Sequence, residues 1–358
     1  MDELILEVNN LKTYFFLASG VAKAVDGVSF QLHKGETLGV VGESGSGKSV
    51  MSKCVIRLLE KVGRIVEGEI KFEGRDVLSF SEKELMAYRG QDVSMIFQDP
   101  MTSLDPVFRV GDQMMENLRI HRGLDKAEAR KVAIEALRSV GIPNPEARFE
   151  AYPFELSGGM CQRVIIAMAL CCNAKVIVAD EPTTALDVTV QAQVLRLLKN
   201  LQKENGMALM LITHNLGVVW DMCDKVMVMY AGKIVEMASV KDLYGSPMHP
   251  YTWGLLDSMP SLSTERKTAL KTIAGTPPDL RLTGKCCNFY NRCPYAQTIC
   301  TECVPELKEL APGHLVACHR QNGVERLERE GGSRPWLNRK SCWKSVTCAR
   351  TLRCAPAR

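Results

Sequence analysis

A buried apolar run, a glycine-rich loop and an amphipathic helix follow one another over residues 36–59, and that succession limits the possible folds more than any other feature. Glu36–Val41 ends in an apolar run that reads as a strand. Gly42-Glu43-Ser44-Gly45-Ser46-Gly47-Lys48-Ser49 fits the pattern G-x-x-x-x-G-K-[ST]. Over Ser49–Leu59, Met51, Cys54, Val55, Leu58 and Leu59 recur at helical spacing. Strand, loop and helix in this order form the phosphate-binding unit of a βαβ protein. In such a loop (Gly42, Ser44, Gly45, Gly47) the glycines let successive backbone N–H groups turn inward around phosphate oxygens, and the positive end of the next helix adds to them. Lys48 then reaches the β- and γ-phosphates of ATP, and the Ser49 hydroxyl coordinates Mg²⁺.

A second run supplies carboxylates. Val176-Ile177-Val178-Ala179-Asp180-Glu181 reads as a central parallel strand, short, continuous and β-branched, with two acids at its carboxyl end. Open α/β sheets bind ligands at that edge. Asp180 suits the Mg²⁺ shell, and Glu181 can polarise a water for in-line attack on the γ-phosphate.

Around these lie other elements. Leu4–Val8 and Val28–Leu32 read as strands, the latter by strict alternation. Residues 81–172 are mainly helical, with breaks at Asp99-Pro100, Gly141-Ile142-Pro143 and Tyr152-Pro153 and a strand at Val93–Phe97. A helix presents Val190, Val194, Leu197, Leu198 and Leu201 on one face; Met207–Thr213 is another buried strand. Val226–Tyr230 and Lys233–Glu236 form a hairpin through Ala231-Gly232. Past His249-Pro250-Tyr251 the alternation fades, which places a domain boundary near residue 240.

Leu156-Ser157-Gly158-Gly159-Met160-Cys161-Gln162-Arg163 decides which phosphate-loop protein this resembles. It is similar to the signature motif of ABC ATPases, with methionine at a position that usually differs. A serine hydroxyl, two glycine N–H groups and a helix N-terminus make a second anion site from Ser157, Gly158 and Gly159. The resemblance covers roughly residues 3–240 and implies that this site grips the γ-phosphate bound to an opposing subunit. It also gives Gln98 the role of the γ-phosphate sensor that touches Mg²⁺ and the membrane subunit, Ala185-Leu186-Asp187 the loop that crosses the dimer interface, and His214 the switch histidine on the γ-phosphate. Gln98 and His214 taken alone are ordinary surface residues. An aromatic near the N-terminus stacks on adenine in this family; Phe15 fits by spacing, and Tyr14 or a plain core aromatic are the alternatives. The implied fold is α/β: a P-loop NTPase ABC-type nucleotide-binding domain over 1–240, with a RecA-like parallel sheet core, an antiparallel β subdomain and a helical subdomain at about 99–172.

Phe97-Gln98-Asp99-Pro100-Met101-Thr102-Ser103-Leu104-Asp105-Pro106 and Ser246-Pro247-Met248-His249-Pro250-Tyr251-Thr252 resemble the ATPases of oligopeptide and dipeptide importers, with nickel importers as relatives. The second stretch opens a small cysteine-rich extension over 241–320. Nine of the fourteen cysteines lie beyond residue 285. Cys287, Cys293, Cys300 and Cys318 are spaced so that four thiolates can converge, which both tetrahedral Zn²⁺ and a [4Fe–4S] cube accept. The branch is associated with an iron–sulfur cluster, which favours [4Fe–4S] over Zn²⁺; unligated thiols or a disulfide remain the alternative, and Cys286 or Cys303 could replace a ligand. A structural role for the cluster is preferred to redox sensing.

Composition narrows the partners. Apolar residues make up 46% of the chain, and no run approaches the roughly 18–20 apolar residues of a membrane-spanning helix. The start, MDELILEVNN, lacks the layout of a secretory signal. Residues 331–358 carry seven Lys/Arg and no acid, leaving the rest at −3 within a net charge of +4. A body without basic excess gives no reason to expect nucleic acid, and 321–358 reads as a disordered basic tail. The resemblance implies a peripheral protein at the cytoplasmic face of the inner or plasma membrane. Its partners would be integral permease subunits, a second ABC ATPase (a heterodimer, with a homodimer open) and, indirectly, a substrate-binding protein. The rival classes are a soluble ABC ATPase acting on nucleic acid or ribosomes, and a non-enzymatic iron–sulfur regulator.

Overall fold

The computed structural model describes residues 3–184, 186–259 and 272–321; all but the first residue of the expected basic tail, and Ala185, lie outside them. The chain opens with two long antiparallel strands, β1 (Leu4–Leu17) and β2 (Gly20–His33), followed by the fully buried β3 (Thr37–Val41). Helix α1 (Lys48–Val55) is shorter than its apolar spacing predicts, because Arg57 turns to a left-handed φ of 52°. The Arg57 guanidinium is then anchored on the carbonyls of Val77 and Phe80. Next come β4 (Gly63–Phe72) and β5 (Arg75–Asp76), which complete a four-stranded antiparallel sheet in the order β2-β1-β4-β5.

After α2 (Glu82–Ala87) and β6 (Val93–Ile96) the chain enters its helical part. This comprises α3 (Pro100–Ser103), α4 (Val110–Arg122), α5 (Lys126–Ser139), α6 (Pro145–Phe149) and α7 (Gly158–Cys171). Leu118, Leu137 and Val164, from α4, α5 and α7, are fully buried in one apolar cluster. Truncating a leucine there would cost about 2–5 kcal/mol. The αL caps Gly123 and Gly206 end α4 and α8 (Val188–Asn205).

The remaining strands are β7 (Val176–Asp180), β8 (Ala208–Ile212), β9 (Lys225–Tyr230) and β10 (Lys233–Ser239), with α9 (Leu216–Met222) between β8 and β9. Strands β9, β3, β8, β7 and β6 are mutually parallel and form the buried heart of an eight-stranded sheet. Its other edge is antiparallel and is built partly by the extension. After α10 (Val240–Gly245), α11 (Pro250–Asp257) and α12 (Thr298–Glu302), the short strands β11 (Lys308–Ala311) and β12 (His314–Val316) form a hairpin whose β12 pairs with β10. Near residue 240, where β10 ends, the extension begins and packs back onto the sheet. Glu236, fully buried on β10, accepts from the backbone N–H of Met248 (2.7 Å) and His249 (3.0 Å), and its carboxylate lies 2.7 Å from His314 Nε2. Tyr251, Leu256 and Phe289 share an apolar cluster with Val41, Val228 and Tyr230. Among the described residues no helix is long and apolar enough to cross a membrane.

Candidate nucleotide site

The parallel strands run in the order β3, β8, β7, β6, and each sends a predicted site residue from its carboxyl end. The glycine loop follows β3, His214 follows β8, Asp180 ends β7 with Glu181 next, and Gln98 lies just past β6. In the loop, Gly42 and Gly47 have φ of 157° and 100°. A Cβ on either would sit 2.2 Å from a backbone oxygen, that of Met229 or of Ala24, so no side chain fits. Ser44 and Gly45 form the exposed tip. Lys48 Nζ donates to the carbonyls of Gly42 (2.9 Å) and Glu43 (2.8 Å) and reaches Ser46 Oγ at 3.3 Å. Burial pulls its pKa down, against the opposing pull of Glu181, Asp180 and Glu43.

Ser49 Oγ donates to Asp180 Oδ1 at 3.1 Å. Burial raises the Asp180 pKa, and the neighbouring Glu181 adds to the rise. A hydroxyl beside a desolvated carboxylate is an oxygen-only donor pair of the kind Mg²⁺ takes, so these residues fit the ion. Glu181 has a left-handed φ of 45°, uncommon outside glycine and asparagine. Its backbone N–H donates to Ile212 O (2.9 Å), fixing that turn on β8. The carboxylate is held on two sides: Gln98 Nε2 (3.1 Å) and Thr184 Oγ1 (2.8 Å) donate to Oε2, while His214 Nδ1 lies 3.3 Å from Oε1. Gln98, Asp180, Glu181 and His214 are thus brought together, and Thr184 joins them unforeseen, three residues beyond Glu181.

The serine–glycine loop stands elsewhere. Ser157 caps α7, accepting from Met160 N at 3.4 Å. Gly158 has open space where a Cβ would be, and at Gly159 a Cβ would lie 2.8 Å from Val190 Cγ1 on α8. Asp187 caps α8, accepting from Thr189 and Val190 N at 3.0 Å each. Their hydrogen bonds are local to the first turns of α7 and α8, and the two turns meet where Gly159 faces Val190.

The two aromatic candidates diverge. Tyr14 Oη donates to Asp26 (2.8 Å) and its ring lies beneath Lys23 Nζ. Phe15 lies two residues after Thr13, whose hydroxyl meets Cys54 Sγ of α1 at 3.1 Å, and so shares the face of β1 that looks toward α1. Phe15 packs over Gly63.

Of the five scattered cysteines, Cys54, Cys161, Cys171 and Cys172 are buried and Cys223 is half-buried. In the extension, burial pushes the thiols of Cys287 up to about 12 and Cys293 up to about 11. Cys300 and Cys318 push both in the same direction, which marks the four as neighbours. Cys303 is exposed, its sulfur 3.8 Å from His319 Nε2, outside that group. Among the described residues no group of three or more His, Cys, Asp or Glu side chains is arranged to hold a metal, so the arrangement of the thiols does not itself show the expected cluster.

Comparison with known proteins identifies the family. Residues 25–184 match the model of the ABC transporter family, and residues 235–300 match the oligopeptide/dipeptide transporter C-terminal region. The "Probable peptide ABC transporter ATP-binding protein y4tR" of Sinorhizobium fredii is 50% identical over 91% of this chain and 97% of its own length. The "Oligopeptide transport ATP-binding protein OppD" of Salmonella typhimurium is 49% identical over 88% and 94%. The dimeric structure of the ATP-binding cassette MJ0796, bound to ADP and Pi in a post-hydrolysis state, superposes with a TM-score of 0.60 at 27% identity, over 66% of this chain and 98% of that one. The chain therefore belongs to the ABC transporter family as one of its ATP-binding subunits, an ATPase that carries the oligopeptide/dipeptide transporter C-terminal region.

Proposed function

We propose that this ATPase drives uptake of di- and oligopeptides from the cytoplasmic face of the inner or plasma membrane, beside integral permease subunits and a second ABC ATPase. The observation that carries the reading is the one Glu181 carboxylate held by Gln98, Thr184 and His214 next to Lys48 and Asp180. The peptide substrate follows from the match over 235–300 and from the printed names of the relatives.

The residues divide the work as follows. The Gly42–Gly47 loop and Lys48 hold the phosphates of ATP, and Phe15, on the α1 side of β1, stacks on its adenine. Ser49, Asp180 and Gln98 would hold Mg²⁺, which supplies charge neutralisation on the β- and γ-phosphates. Glu181 orients the attacking water and takes its proton, while His214 and Gln98 fix the carboxylate and meet the γ-phosphate. Ser157, Gly158 and Gly159, with Asp187 behind them, grip the nucleotide of the opposing subunit, so ATP draws the two halves together and hydrolysis releases them. Movement at Gln98 passes to the permease. A heterodimer is the preferred assembly. In the extension, Cys287, Cys293, Cys300 and Cys318 would hold a [4Fe–4S] cluster that pins the segment, with Zn²⁺ the lesser alternative; the action of Cys300 and Cys318 on both Cys287 and Cys293 supports this set over Cys286 or Cys303.

The test is reconstitution of the chain with its permeases and partner ATPase in liposomes, with binding protein outside. Labelled di- or tripeptide should accumulate at the expense of ATP, and the anaerobically purified chain should contain iron and acid-labile sulfide. Uptake of nickel alone would move the substrate to the related branch. Failure to associate with any permease, together with stimulation by nucleic acid or ribosomes, would overturn the transport reading.

A further inference from the structure

The phosphate loop is held from outside by the cysteine-bearing extension. Glu43, its second residue, has every polar group engaged. Its carbonyl accepts from Lys48 Nζ at 2.8 Å, and its N–H donates to Tyr251 Oη of α11 at 2.8 Å. Its carboxylate receives both terminal nitrogens of Arg292, at 2.6 and 3.0 Å. Arg292 is itself saturated. Beyond the fork on Glu43, Nη1 reaches Tyr230 Oη (3.3 Å), Nη2 donates to Ile273 O (3.1 Å) and Nε to Ala274 O (2.9 Å). Its side chain is 5% exposed. Five donors with five partners fix a guanidinium in one orientation, which a flexible ammonium could not reproduce.

A second contact runs in parallel. Asn288 Nδ2 donates to Ala231 O at 2.9 Å, in the turn between β9 and β10, and Gly232 N in the same turn donates to Ser46 O of the loop at 3.0 Å. Asn288 and Arg292 both lie between Cys287 and Cys293. One short segment thus reaches the loop at Glu43 directly and at Ser46 through one turn.

We propose that Arg292, Asn288 and Tyr251 are positioning residues of the phosphate loop, so that the segment between Cys287 and Cys293 sets the affinity for ATP. The inference rests on the assignment of Gly42–Ser49 as the nucleotide site. A loop of this kind binds phosphate through several backbone N–H groups at once, so its affinity depends on all of them being held in register before the ligand arrives.

The test uses the full-length chain, with MgATP binding measured calorimetrically and steady-state hydrolysis measured in parallel. Arg292→Gln should raise the Kd for MgATP roughly tenfold, with kcat at saturation changed less than about twofold, and Glu43→Gln should raise the Kd by a similar factor. The double variant should bind no more weakly than the worse single one, because both remove the same contact. Tyr251→Phe keeps the ring and deletes only the hydroxyl, and should raise Kd about threefold. A merely structural role would lower the melting temperature and leave the Kd of the folded protein alone. Parent-like Kd in folded Arg292→Gln, or a double variant whose loss is the product of the single losses, would overturn the proposal. Where Arg292→Gln does not fold, Tyr251→Phe decides by the same criterion. If the parent chain fails to bind MgATP, the nucleotide-site assignment falls first and this inference with it.

Discussion

Replacing Glu181 by glutamine isolates its basicity from its geometry, because of how the carboxylate is held. Oε2 accepts from both Gln98 and Thr184, so the amide oxygen of a glutamine placed there keeps both hydrogen bonds. The amide nitrogen then falls on the Oε1 side, facing His214 Nδ1, which can take the accepting tautomer. Backbone strain is unchanged, since the left-handed φ of 45° suits glutamine no worse than glutamate. What is lost is the proton acceptor. General-base catalysis contributes about 10²–10⁴-fold, which is about 3–5 kcal/mol of barrier. The substitution also removes a negative charge near Lys48 and the incoming phosphates, so MgATP should bind at least as tightly as in the parent. The assay is single-turnover and steady-state phosphate release at saturating MgATP, with Kd measured separately. A kcat within about threefold of the parent, with binding intact, would refute the assignment of Glu181 as the base.

Three further outcomes are expected. Gly47→Ala places a Cβ 2.2 Å from the Ala24 carbonyl at a φ of 100° and should abolish MgATP binding; Gly45→Ala, with nothing within 4 Å and a φ of 76°, should cost only about 1–2 kcal/mol of stability in urea unfolding. Phe15→Ala should weaken ATP by about 1 kcal/mol, whereas Tyr14→Phe should leave the Kd unchanged, both by titration with MgATP. His249 is buried and its Nδ1 accepts from Tyr251 N, and burial lowers its pKa from 6.5 to about 4. Between those values the unfolded chain binds a proton that the folded chain refuses, so this group's contribution to stability is present above pH 6.5 and falls by about 3 kcal/mol as pH drops to about 4. His249→Asn keeps a capping acceptor for α11 and should flatten that part of the slope in chemical denaturation.

The site was more legible in the sequence than the fold around it, and the reason lies in which interactions are local. Gly42 and Gly47 must be glycine because backbone atoms crowd them, and the Asp180–Glu181 pair must follow a buried strand to stand at a sheet edge; each requirement leaves a mark within a few residues. The same logic fails for β1, read only to Val8, because its outer half is carried by cross-strand partners such as Lys12 on Glu67 and Tyr14 on Asp26, not by an apolar pattern. Strand β4 leaves little mark in the sequence because Gly68 interrupts it, at a point where a Cβ would strike Leu11 Cα at 2.6 Å and β1 bulges opposite. Strands β11 and β12 have no pattern of their own; β12 pairs on the edge that β10 offers, and β11 pairs on β12. Arg292 is the extreme case: its partner Glu43 lies 249 positions away, and neither neighbourhood hints at the other. A catalytic group announces itself through the spacing its chemistry needs, whereas a group that merely holds the catalytic loop in place is free to come from anywhere the fold brings near. The residues most easily missed by motif are therefore those that hold the motif's backbone in register, and here they sit among the cysteines of the extension.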